Sequence, residues 1–190
     1  MGRRLSIFRV FGLLAWLASG AAAGGTVALA EVGQPGRVLM LRHALAPGTG
    51  DPPGFRIDDC TTQRNLDETG RAQARSLGRR LAKAGIVSAS IHSSQWCRCQ
   101  ETARLLQLGP VSVLPALNSF YGQAAERTTR VAALRAFLAG LPVDGRPVIL
   151  VTHQFTINAF TDAGTPSGGG SLFQLNGTGE PVWLGTIPDE

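Results

Sequence analysis

Two of the three histidines in this chain stand in nearly the same local frame. Val38-Leu39-Met40-Leu41 runs into Arg42-His43, and Val148-Ile149-Leu150-Val151 runs into Thr152-His153. Short, continuous β-rich runs of this kind are strands buried on both faces of a parallel sheet. In such a sheet ligands bind beyond the carboxyl ends of the strands, so both imidazoles are expected on one edge. Arg42 precedes the first imidazole. Arg98 falls about one turn into the helix expected after the third strand, where a side chain points back toward the helix N-terminus. Two arginines and two histidines on one edge suit a phosphoryl group, because guanidinium forks bind its equatorial oxygens and spread the charge that develops there. A neutral His43 can attack phosphorus with one ring nitrogen while an acceptor on the other fixes the tautomer. His153 would add charge and orientation.

Positioning these groups requires alternating strands and helices, which indicate βαβ units and an α/β fold with a parallel sheet. Beside the two central strands, Ile86 to Ile91 and Val111 to Leu114 are expected as strands. Asp67 to Ala84 spaces Gly70, Ala74, Leu77, Leu81 and Ala84 by three and four residues, with Asp67 as cap and Gly85 as stop. Ala124 to Ala139 repeats the pattern through Val131, Leu134 and Leu138, and Gly140 follows. Ser94 to Leu106 is expected as a helix capped by Ser94, a short helix should open after His153, and Ser171 to Leu175 and Pro181 to Ile187 are weaker β-like runs. The one long irregular stretch, Ala44 to Asn65, is rich in glycine and proline. Loops of that length in a compact domain commonly serve a ligand.

With 190 residues, 44% of them hydrophobic and 16% charged, the chain can bury one core. Residues 1–30 read as a signal peptide: Arg3, Arg4 and Arg9 lead into an apolar stretch without acidic residues, and Ala28-Leu29-Ala30 forms a cleavage pattern, with Ala21-Ala22-Ala23 as the earlier alternative. The domain is then 31–190, exported to the periplasm or beyond, and an uncleaved leader would keep it beside a membrane. Without the leader arginines, 15 basic residues face 13 acidic ones, so the formal charge of +5 falls to +2. Arginines scattered without a basic run or interleaved aromatics argue against a nucleic-acid partner. After export, one disulfide is expected between Cys60 and either Cys97 or Cys99. Cys97 and Cys99 are too close for the usual zinc spacing and lack a second pair, so no metal is expected.

The segments LMLRHA, LDETGRAQARSLG, SSQWCRCQETARLL and LVTHQ resemble, in order, the signature segments of the histidine phosphatase superfamily, which also contains phosphoglycerate mutases. The resemblance spans Arg37 to about Asp162. It implies a phosphoglycerate mutase-like, three-layer α/β/α fold with a mainly parallel central sheet, and His43 as the phosphorylated nucleophile. Arg42 and Arg98 would clamp the phosphate, His153 would be the second pocket histidine, and no metal or organic cofactor would be needed. Ala44 departs from the glycine usual after the Arg-His pair, and SSQW stands where a proline is common. The general acid that should protonate the leaving alcohol has no unmistakable motif. Glu126 is the positional candidate, and Asp51 in the long loop is the second.

Asp51, Asn65 and Asn118 are further candidates for binding substrate, with Arg56 and Arg64 nearby in the loop, while His92 and Glu101 are expected to be packing or surface residues. The leader, the small size and the cysteines resemble more loosely the lipopolysaccharide core heptose-phosphate phosphatases. Together these readings point to an exported, metal-independent phosphatase acting on a phosphorylated small molecule or glycolipid. The alternative is a non-catalytic phosphate or sugar-phosphate binding module on the same fold.

Overall fold

The computed structural model describes residues 25–189; residues 1–24, most of the expected leader, lie outside the described residues. Ten regular elements follow in chain order: β1 (Arg37–Arg42), α1 (Glu68–Lys83), β2 (Ser90–Ser93), α2 (Cys97–Leu105), β3 (Val111–Val113), α3 (Glu126–Ala139), β4 (Val148–Thr152), α4 (Gln154–Ile157), β5 (Gly170–Gln174) and β6 (Val182–Ile187). The six strands form one sheet in the order β3-β2-β4-β1-β5-β6. The first four in that order run parallel, and β5 and β6 are added antiparallel at the far edge.

Strand side chains alternate between the two faces of a sheet, and the core divides accordingly. Leu39, Leu41, Ile149 and Val151 face Leu77 and Leu81 of α1 and Cys99 and Ala103 of α2. Val38, Met40, Val148 and Leu150 face Leu134 and Leu138 of α3 and Ile157 of α4. Helices thus cover both sheet faces, and the three-layer α/β/α expectation holds. The two central strands are buried on both faces, which is why neither shows polar alternation in the sequence. The helical leucines Leu77, Leu81, Leu134 and Leu138 are fully buried, and truncating any of them to alanine costs about 2–5 kcal/mol.

Helix α1 begins and ends as expected: the Asp67 carboxylate accepts from the Gly70 N–H, and Gly85 leaves the helix at φ +94°. Gly70 has a second constraint, because a Cβ there would lie 2.0 Å from the Leu45 carbonyl oxygen, so glycine lets α1 touch the chain leaving β1. Two starts differ from expectation by more than two residues. β2 begins at Ser90 rather than Ile86, with Ile86 and Ala89 buried as the lead-in. α2 begins at Cys97 with Trp96 at its N-cap and no side-chain cap. Ser94 is therefore free for another task, described below.

The chain pairs with the domain before residue 31. Thr26 bridges Thr186 of β6, the Val27 N–H donates to the Thr186 carbonyl at 2.9 Å, and Val27 and Leu29 pack against the core. A disulfide joins Cys60, in the long loop, to Cys97, the first residue of α2, and Cys99 is a buried free thiol. Closing a loop of sequence separation 37 stabilises by about 3–4 kcal/mol if unfolded-state entropy dominates.

Candidate active site

β1 and β4 are neighbours in register, with Arg42 paired to Thr152. His43 and His153, each one residue further on, therefore leave the sheet side by side, with ring centroids 5.5 Å apart. The His43 backbone N–H extends the ladder to the Thr152 carbonyl. β2 lies on the other side of β4 and feeds α2, whose second residue is Arg98. Three adjacent parallel strands thus deliver four side chains to one edge, and all four line a cavity of about 340 Å³.

The tautomers follow from hydrogen bonding. The His43 Nδ1–H donates to the Ala44 carbonyl at 2.8 Å, so Nε2 carries the lone pair. Burial, then the Arg98 charge, pushes this imidazole down to about 3, and it is neutral at any ordinary pH. On the His153 side, Asn118 Oδ1 takes the Gln95 N–H at 2.9 Å and the Ser94 hydroxyl at 3.2 Å. With its proton so committed, Ser94 Oγ accepts from His153 Nε2–H at 3.0 Å, leaving the lone pair on Nδ1. Burial, followed by the proximity of His43 and Arg98, holds His153 well below the usual imidazole range. The Cys99 sulfur lies 3.5 Å from the same Nε2, and burial pushes that thiol up to about 12, so it packs as a thiol.

Three guanidiniums face the histidines. Arg42 donates to the Thr165 carbonyl at 2.8 Å and to Gln154 Oε1 at 3.3 Å. Arg98 is gripped end-on by Asp51, Nη1 to Oδ1 at 2.8 Å and Nη2 to Oδ2 at 3.2 Å. Arg64 is the third: its Nε donates to the Gly50 carbonyl at 2.7 Å and its Nη1 to the Ala46 carbonyl. The Nε–H groups of Arg42 and Arg98 are buried without an acceptor among the described residues. The same holds for Arg37, Arg130 and Arg135 away from the cavity, so it is the shared lining of one cavity that sets Arg42, Arg64 and Arg98 apart as partners for an anion.

The sequence candidates separate clearly. Arg42, His43, Asp51, Arg98 and His153 come together around the cavity. Glu126 does not: it sits at the start of α3, half exposed, with its carboxylate 3.4 Å from Arg130. Asn65 donates to the Cys60 and Gln63 carbonyls and lines a different cleft. Asn118 is buried behind His153 and acts through Ser94. Asp51 is no proton donor at rest. Burial raises its carboxyl, but the hydrogen bond and charge of Arg98, with the Trp96 and Arg64 N–H groups, outweigh this and hold it below the usual range. His92 packs edge-on against Phe137, and Glu101 pairs with Arg71, as their expected packing and surface roles require. Ala44 fits because its methyl joins Ala46, Leu66 and Ala74 in a small core, at a backbone angle that needs no glycine.

Sequence reasoning undervalued Arg64 and missed Ser94, Trp96 and the aromatic residues at the cavity mouth. Arg64 carries no local signature, since its place comes from the fold of a loop whose polar residues look solvated. Ser94 was visible only as a helix cap, the commonest use of a serine at that position.

Two buried neutral imidazoles make stability depend on pH. The unfolded imidazole titrates near 6.5 and the folded His43 at about 3, so between these values the unfolded chain binds more protons. Stability is therefore lost as pH falls through 6.5, approaching about 1.4 kcal/mol per pH unit for each such imidazole. His153 contributes with the same sign. Denaturant midpoints measured from pH 7 to 4.5 should fall with nearly two protons taken up on unfolding, and a flat profile would show that these rings titrate normally.

A family model described as the histidine phosphatase superfamily (branch 1) matches residues 38–139, which include Arg42, His43, Arg64 and Arg98. No curated protein sequence matches the chain. Among solved structures, the protein histidine phosphatase SixA complexed with tungstate has a TM-score of 0.59 at 17% identity, covering 80% of this chain and 97% of that one. The Rv3214 protein of Mycobacterium tuberculosis has a TM-score of 0.59 at 19% identity, covering 81% and 98%. The mycobacterial glucosyl-3-phosphoglycerate phosphatase complexed with VO3 has a TM-score of 0.55 at 20% identity, covering 77% and 95%. At these identities the likeness is one of fold.

Proposed function

The chain belongs to the histidine phosphatase superfamily, and from that premise we propose that it is a phosphatase that hydrolyses a phosphomonoester through a phosphohistidine on His43. The observation that carries this reading is the convergence on one cavity of a neutral His43, its lone pair fixed on Nε2, with the guanidiniums of Arg42, Arg64 and Arg98. Nε2 attacks phosphorus, the P–O bond to the leaving alcohol breaks, and Arg42, Arg64 and Arg98 carry the charge on the transferred group, so no metal is invoked. Water then attacks phosphorus and restores His43. His153, with its Nε2–H held by Ser94 and its ring lining the same cavity, is the remaining pocket base. A bound phosphate dianion would raise that imidazole and let it hold a proton against the oxygens. With Glu126 remote and Asp51 held ionised, no carboxylic acid is assigned to the leaving group. The test is hydrolysis of p-nitrophenyl phosphate without added metal, with trapping of acid-labile phosphate on the protein. Phosphate binding without turnover would instead favour the non-catalytic module.

We further propose that the protein is exported and acts on a phosphorylated small molecule or glycolipid outside the cytoplasm. The Cys60–Cys97 disulfide supports this, since such bonds persist in oxidising compartments. The contacts of Gly25 to Val27 with β6 favour cleavage at Ala21-Ala22-Ala23, which preserves them, over cleavage after Ala30. Protein recovered from the periplasm should begin near Gly24 by mass and carry no free thiol at Cys60 or Cys97. Recovery of a reduced, full-length chain from the cytoplasm alone would overturn the proposal.

A further inference from the structure

The cavity has two chemically distinct parts. Its floor holds every charged side chain that lines it: Arg42, Arg64, Arg98 and Asp51, together with the histidines. None of the other residues that line it is charged. Two aromatic pairs line the cavity, each inclined by 38°: Phe55 with the buried Trp96, which bonds Asp51 of the floor, at 5.8 Å between centroids, and Tyr121 with Phe155 at 5.2 Å. Tyr121 and Phe155 are 51% and 48% exposed. They belong to different segments, the turn before α3 and the first turn of α4, so their stacking is not a by-product of local sequence. Half-exposed aromatic rings gathered at a cavity mouth mark a binding surface more than a packing defect.

The remaining lining is uncharged but carries the hydrogen-bonding side chains of Thr49, Ser119 and Gln123 with the glycine backbone of the long loop, while Gln154 is committed to Arg42, Thr165 and Asn158. A leaving group bearing a carboxylate or a second phosphate would find no cation among the lining residues beyond the floor arginines. A purely aromatic one would make no use of the Thr49 hydroxyl and the Gln123 amide. A carbohydrate ring satisfies both kinds of wall, because its C–H faces lie on the electron-rich faces of aromatic rings while its hydroxyls meet amides and hydroxyls. We propose that Tyr121 and Phe155 are specificity-determining residues that hold the sugar ring of a neutral glycosyl or sugar phosphate, with Phe55 and Trp96 as the opposite wall. This rests on the phosphatase reading for the floor and adds the identity of the leaving group.

Binding separates the two ideas, because it needs no turnover. Calorimetry on full-length wild type and on the His43→Ala variant would use glucose 6-phosphate, glucose 1-phosphate, glycerol 3-phosphate, 3-phosphoglycerate and p-nitrophenyl phosphate. We expect the glucose phosphates to bind at least about tenfold more tightly than glycerol 3-phosphate and 3-phosphoglycerate. Tyr121→Ala and Phe155→Ala should erase most of that ratio, and Tyr121→Phe should retain it. In turnover, the alanine variants should raise KM for the glucose phosphates at least about tenfold more than for glycerol 3-phosphate, with the change in KM rather than kcat. Equal losses on ring and open-chain ligands, or tighter binding of 3-phosphoglycerate, would overturn the proposal. So would tightest binding of p-nitrophenyl phosphate with the same dependence on Tyr121, which would reassign the walls to an aryl ligand. A protein that binds the glucose phosphates selectively and hydrolyses nothing would retain this inference and lose the phosphatase reading.

Discussion

His43→Ala is expected to lower p-nitrophenyl phosphate turnover by at least about 10³-fold and to abolish acid-labile phosphate on the protein. A nucleophile that forms the covalent intermediate has no substitute in the pocket. His153, 5.5 Å away between centroids, has its Nε2–H tied to Ser94, and its position is set by β4. Losses of this order are typical when a covalent nucleophile is removed and only transition-state binding remains. The ring is 3% exposed, so the alanine variant also loses packing. His43→Asn keeps more of the volume and should be equally inactive while retaining phosphate binding through the three arginines. Substantial turnover by either folded variant would remove His43 from the mechanism.

How far the sequence specified this site depended on whether each residue was placed by its own segment or by another one. Arg42, His43 and His153 end buried strands, so the hydrophobic run before each one fixes where it emerges, and the sequence reading and the structure agree. Arg98 follows from a helix phase, and α2 starting at Cys97 rather than Ser94 still leaves it near the helix N-terminus. The roles of Asp51 and Arg64 are different in kind. Both belong to a loop stitched together by an Asp51 carboxylate, backbone carbonyls and the Cys60–Cys97 bond, and no periodicity signals such contacts. Glu126 shows the opposite error: its distance along the chain suited an acid, but helix α3 turns it toward Arg130 one turn on, as an i,i+4 pair. Tyr121 and Phe155 are separated by 34 positions in sequence, and only the closure of α4 toward the turn before α3 brings them into contact.

Asp51→Ala tests the most connected of these loop residues. Its carboxylate takes both Arg98 Nη groups, Trp96 Nε1–H at 2.9 Å and the Arg64 N–H at 3.0 Å, in a pair whose side chains are 8% and 4% exposed. Removing one member of a buried ion pair leaves the other charge uncompensated, at a cost of about 3–5 kcal/mol. Arg98 would also lose the grip that aims its free Nε–H. We expect kcat/KM to fall about 10–100-fold, and to fall alike for p-nitrophenyl phosphate and for an alkyl phosphate. If Asp51 instead donated the leaving-group proton, the alkyl ester would suffer far more than the nitrophenyl ester, whose leaving group needs no proton. Inorganic phosphate supplies a second readout. By giving Arg98 a new anionic partner it should bind Asp51→Ala more tightly and so raise its Tm more than that of wild type at equal phosphate concentration. An unequal kinetic loss with no extra phosphate rescue would make Asp51 the acid; equal loss with rescue would make it the residue that positions Arg98.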